Sequence, residues 1–265
     1  MRCRCFILVL VITFAFVFAG RAHALATERC GSYTVVLVPG VLPQGGGRLT
    51  LVDRGGRRAH QIRSPIVSVE RCEDVTGDDR PDLIVSTNSG GQRCCTTFHV
   101  LELGVPVRTL LQWGAGYQSD LDPTDLADAT PAKELAARDD RLSGFGGLPA
   151  AVSPTLPAIF CYERGAFIDC TRRIREPLLL ELTDVKETLK TETNPARRRA
   201  AGVNVVALSL LLDEEPAAWT WLAELAGDTV PWLQERRAAL TACIKTSALA
   251  PRDKRLAPCA AGEQQ

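Results

Sequence analysis

Long apolar runs are missing from this chain after its first two dozen residues, so no later segment is apolar enough to cross a bilayer as a helix. Thiols with two residues between them are missing as well. A zinc site of paired thiols needs C-x-x-C spacing, and no cysteine pair has it. No G-x-S-x-G, H-E-x-x-H or phosphate loop occurs, and Gly45-Gly46-Gly47 lacks the Lys-Ser/Thr that would make it one. Histidine is scarce: past residue 24 only His60 and His99 remain, and His99 falls in an alternating strand pattern that suits a sheet residue better than a base. Net charge is also near zero, which gives no electrostatic reason to expect nucleic acid or an anionic membrane as a partner.

The residues present at the start have the three parts of a secretory signal. Basic Arg2 and Arg4 precede an apolar run from Phe6 to Phe18, and Ala22-His23-Ala24 follows with small residues suited to signal peptidase. An apolar run of about thirteen residues rises about 20 Å, short of the roughly 30 Å hydrocarbon core, so cleavage after residue 24 is expected rather than anchoring. The expected location is periplasmic or secreted. About 241 residues then remain, with 28 basic and 31 acidic side chains and a net charge of −3.

Eight cysteines survive that cut: Cys30, Cys72, Cys94, Cys95, Cys161, Cys170, Cys243 and Cys259. An even number in an oxidising compartment reads as disulfides. Cys161 and Cys170 flank a hairpin, Cys243 and Cys259 bracket the C-terminal tail, and Cys30 could reach Cys72, although spacing alone leaves the connectivity open. The neighbours Cys94 and Cys95 either close on each other or bridge to two different partners, because adjacent strand residues point to opposite faces.

Between Ser32 and Thr171 short β-type segments alternate with Gly, Pro and Asp. They include Tyr33 to Val38, Arg48 to Val52, Pro65 to Val69, Leu83 to Thr87, Thr97 to Leu101 and Val107 to Leu111, a pattern of antiparallel sheet. After Glu176 the period becomes helical. Leu178, Leu182, Val185 and Leu189 mark a first helix, Asn194-Pro195 caps a second, Pro216 opens a third with Trp219 and Leu222, and Asp228 caps a fourth reaching Ile244. The expected architecture is α+β: a β domain over residues 25–174, a four-helix domain over 175–250 and an irregular tail over 251–265.

One stretch carries recognisable chemistry: Glu73-Asp74-Val75-Thr76-Gly77-Asp78-Asp79-Arg80-Pro81-Asp82, followed by Leu83-Ile84-Val85. Asp74, Thr76, Asp78 and Asp82, with the backbone carbonyl of Arg80, place oxygens at alternate positions, as a loop wound around a hard cation does. No helices flank it and no glutamate closes it at the twelfth position, so it is not an EF-hand. The stretch resembles the calcium loop of FG-GAP and VCBS-type repeats, in which a metal sits in a turn between strands of a propeller blade. Together with Ser89 to His99, Ala137 to Arg141 and Phe167 to Arg172, it resembles a group of exported bacterial proteins that carry such repeats before a helical C-terminus.

The resemblance covers residues 66–172 and, loosely, the helices around Ala217 to Trp219. It implies a partial propeller of two or three blades, with a structural calcium ion on Asp74, Thr76, Asp78, the carbonyl of Arg80 and Asp82. Thr76 stands where Asp or Asn is usual, which should lower affinity. A shortened second copy over residues 128–137 has Lys133 where a cation would sit, and should keep the shape without metal. Asp139-Asp140 and Asp213-Glu214-Glu215 read as solvated acidic pairs, and Trp219, Trp221 and Trp232 as core. The function expected is non-catalytic binding of a protein or glycan. The alternative is an exported hydrolase using Asp or Glu as acid and base.

Overall fold

The computed structural model describes residues 26–40, 46–91, 96–117, 120–127 and 130–260. The expected signal segment and the Cys94-Cys95 pair lie outside them. Among the described residues twelve strands form three four-stranded antiparallel sheets, each a meander in chain order. Sheet 1 contains β1 (Ala26–Cys30), β2 (Tyr33–Val38), β3 (Gly47–Val52) and β4 (Arg58–Ser64). Sheet 2 contains β5 (Ile66–Glu73), β6 (Asp82–Asn88), β7 (Thr96–Glu102) and β8 (Arg108–Gly116). Sheet 3 contains β9 (Leu121–Thr124), β10 (Glu134–Asp139), β11 (Leu156–Glu163) and β12 (Ala166–Asp169).

The sheets pack through separate apolar layers. Leu49 and Leu51 of sheet 1 meet Leu83, Val85 and Leu101 of sheet 2. The opposite face of sheet 2 presents Ile84, Phe98, Val100 and Trp113 to Leu135, Ala158 and Phe160 of sheet 3. Strand β6 is therefore buried on both faces, which explains why it reads Leu83-Ile84-Val85 without polar alternation. Cys30–Cys72 ties sheet 1 to sheet 2, and Cys161–Cys170 closes the end of sheet 3.

Two imidazoles enter the first layer. His60 stands opposite Leu51 and His99 opposite Val85, so both share a face with core residues. Burial holds both below the usual histidine range, and the neighbouring His60 lowers His99 further. A depressed folded pKa stabilises the fold above the unfolded value of about 6.5, and that contribution is lost as pH falls through the folded pKa. Urea midpoints should therefore drop between pH 7.5 and 5, and a His60→Gln/His99→Gln variant should show a flatter profile over that interval.

The C-terminal part is helical, but it is not a four-helix domain followed by an irregular tail. It contains α1 (Arg175–Thr191), α2 (Pro195–Leu211), α3 (Glu215–Ala226), α4 (Val230–Glu235), α5 (Arg237–Lys245) and α6 (Arg252–Ala260). The expected fourth helix is broken at Arg236, whose φ and ψ of −102° and 3° leave the helical region. Asp228 does not cap it; its carboxylate is taken by Arg198. Asn194 does cap α2, accepting from the backbone of Ala196 and Arg197. Helix α2 is buried along the whole of its length from Ala200 to Leu211, and α1, α3, α4 and α5 pack against it.

Helix α6 forms because it has something to dock on. Arg255, 1% exposed, pairs with the buried Asp139 at 2.7 Å and donates to the carbonyl of Gly114. Arg252 pairs with Asp140, and Cys259 is bonded to Cys243. Asp139 and Asp140 are thus buried, contrary to their reading as a solvated pair. Gly116 makes room for this cluster: at φ +88° it takes a conformation L side chains rarely adopt, and a Cβ there would lie 2.2 Å from the Asp140 carboxylate.

Candidate metal centre

Strand β5 delivers the chain to the loop at Glu73, and β6 takes it away at Asp82. Between them Asp74 organises the turn. Its carboxylate accepts from the backbone N–H groups of Gly77 at 2.7 Å, Asp78 at 3.3 Å and Asp79 at 2.8 Å. The chain can gather three amides on one side chain because Gly77 and Asp79 both adopt positive φ, 74° and 63°. Counted from Asp74, Asp79 is the sixth position, where the calcium loop of an EF-hand also has its sharp bend.

Gly77 has a second reason to be glycine. A Cβ there would lie 2.5 Å from the backbone of Pro131, in the expected degenerate copy. The two copies touch: the N–H of Lys133 donates to the carbonyl of Val75, and Lys133 Nζ pairs with Glu73 at 2.6 Å. They also share a device. Asp82 opens β6 and accepts from the backbone of Val75 and Thr76, while Glu134 opens β10 and accepts from the backbone of Leu126 and Ala127. Lys133 points its charge at Glu73 rather than into its own loop.

The five expected ligands separate into two groups. Thr76 Oγ1 lies 3.0 Å from Asp82 Oδ2 and 3.5 Å from Asp74 Oδ1, so one hydroxyl joins two carboxylates. Asp82 is 1% exposed, and burial raises its carboxyl pKa, with the nearby Asp78 charge pushing the same way and hydrogen bonds from Val75 and Thr76 opposing. Neither Asp74 nor Asp82 is ion-paired among the described residues. Asp78 is paired with Arg80 while staying within electrostatic reach of Thr76 and Asp82. It accepts from the Arg80 backbone and guanidinium, which hold its carboxyl below the usual range.

Among the described residues no three of His, Cys, Asp and Glu converge as a metal cluster. The donors that do meet are two carboxylates and a hydroxyl, hard oxygens of the kind calcium takes. A pair of carboxylates without an ion-pair partner among the described residues, one of them buried, fits a cation that would cancel their charge.

Several other carboxylates are held by arginines. In the groove between sheet 3 and α1, Asp122 pairs with Arg71 and Glu181 with Arg138. Asp139 and Asp140 are held by the arginines of α6. No family model matches the chain, and no curated protein or solved structure matches it significantly. No described helix is long and apolar enough to cross a membrane.

Proposed function

We propose that this chain is an exported, non-catalytic binding protein of the FG-GAP and VCBS type, with its three sheets arranged as consecutive blades and stapled by disulfides and one calcium ion. Four-stranded antiparallel meanders in series are the unit such blades are built from. Three bonded cysteine pairs are compatible with an oxidising compartment.

One observation carries the calcium reading. Among the described residues Asp74 and Asp82 share the Thr76 hydroxyl and neither is ion-paired, whereas Asp78 is paired with Arg80. Asp74, Thr76, Asp82 and the Arg80 carbonyl would hold the ion, and Asp78 becomes a further ligand only when it leaves Arg80. Bound calcium would supply positive charge to a loop that joins β5 to β6, fixing the turn without taking part in a reaction.

Calcium at a hundred times its dissociation constant should stabilise the protein by about 2.7 kcal/mol, or roughly 5–10 °C for a chain of this size. Thermal melts of the mature chain with calcium and with chelator measure this. Identical melting temperatures would remove calcium from the proposal.

A further inference from the structure

The register of sheet 1 places an unusual set of side chains on its outer face. Arg48 stands opposite both Val38 and Arg63. Val36 stands opposite both Thr27 and Thr50, and Thr50 opposite Gln61. Thr34 stands opposite both Arg29 and Val52, and Val52 opposite Arg58. The alternate residues Leu49, Leu51 and Ile62 face inward to sheet 2, so these three rows point to solvent. The hydrogen bond from Gln61 Nε2 to Thr50 Oγ1 confirms the shared face.

Four arginines, all exposed, stand in these rows without any aspartate or glutamate. Among the described residues none of the four makes an ion pair. Elsewhere among the described residues most arginines are paired, as Arg71, Arg138, Arg173, Arg175 and Arg198 are, while Arg54, Arg164, Arg197 and Arg199 also make no ion pair. Asp53, in the adjoining turn, is taken by Arg57. Arg48 and Arg63 lie directly opposite on neighbouring strands, a like-charge pairing that costs a free sheet stability. They also line an open hollow of about 610 Å3 with Val38, Ser64 and Pro65.

We propose that this face binds an acidic polysaccharide. Arginine forks take carboxylate or sulfate groups in two parallel hydrogen bonds, and the Thr and Gln row between them offers hydroxyl and amide partners to sugar hydroxyls. The face has no aromatic side chain on which bases could stack, which disfavours single-stranded nucleic acid. It also lacks the Trp or Tyr anchors that usually dominate a protein interface. The proposal names the ligand class for the binding role above and does not depend on its calcium.

The test is fluorescence anisotropy with labelled polygalacturonate and labelled heparin, run in chelator. Binding should weaken steeply between about 50 and 200 mM salt. Arg48→Ser/Arg63→Ser should bind roughly tenfold more weakly, at the scale expected for two exposed charge contacts, with an unchanged or higher melting temperature. Arg173→Ser, which removes an arginine paired with Glu163, should bind as the parent does. No binding of either glycan at low salt, or equal losses in both variants, overturns the proposal. Tighter binding of oligo-dT or of phosphatidylglycerol vesicles overturns it in favour of those partners. Glycan binding without a calcium-dependent melting shift removes only the calcium reading, and the reverse result removes only this one.

Discussion

Replacing Arg255 by alanine is expected to destabilise the protein by about 3 kcal/mol, the lower end of the range for breaking a buried ion pair. The guanidinium is 1% exposed, and burial pulls its pKa below the usual arginine range despite the attraction of Asp139. Removing it strands a carboxylate that is itself 1% exposed, with Arg141 at 2.6 Å as its remaining partner. The Gly114 carbonyl loses a donor at the same time, and the indole of Trp113 loses the cation 5.7 Å above it. Urea unfolding followed by tryptophan fluorescence measures the loss.

Cys243→Ser/Cys259→Ser should also destabilise, by about 3 kcal/mol on the chain-entropy estimate for a loop of this length. Both changes release the same helix, so their combination should cost less than the sum of the two. Strict additivity, or a loss under about 1 kcal/mol for Arg255→Ala, would mean that α6 is not what holds the Asp139 and Asp140 cluster together.

Asp82→Asn is expected to have opposite consequences in chelator and in calcium. A folded pKa above the unfolded value means that the anion is disfavoured by folding, so this group's contribution is full below about pH 3.8 and lost as pH rises through the folded value. At neutral pH without metal the neutral amide should therefore be at least as stable as the parent, because its oxygen still accepts from Val75 and Thr76. With calcium at a hundred times its dissociation constant the parent should gain about 2.7 kcal/mol and the variant little of it. Paired thermal melts give both signs in one experiment. Equal calcium gains in parent and variant would place any bound ion elsewhere.

These two sites differ in how readable they were. The loop is local: alternate oxygens, a glycine and a following aliphatic triplet lie within a dozen residues, and the chain turns where they predict. What local pattern could not say is that Asp78 turns to Arg80, two residues on, because that choice depends on which partner reaches the carboxylate first. Position suggested three cysteine pairings without fixing the connectivity, and the structure bonds Cys30 to Cys72, Cys161 to Cys170 and Cys243 to Cys259. Helix α6 was hidden. Pro258 argues against a helix there, yet Arg252, Arg255 and Cys259 fall on one helical face and are satisfied by Gly114, Asp139, Asp140 and Cys243, far away in sequence.

The arginine face was hidden differently. Net charge averages it against acids that lie elsewhere, and its rows exist only once four strands are in register. A slip of one residue in β3 would turn Arg48 and Thr50 inward and Leu49 and Leu51 out to water.

Among the described residues sheet 1 packs against sheet 2 through one of its surfaces, and its other surface meets no further sheet. Side chains there carry no interior duty. Substitutions among them should leave the packing of the three sheets unchanged, whereas those on the inner face should not.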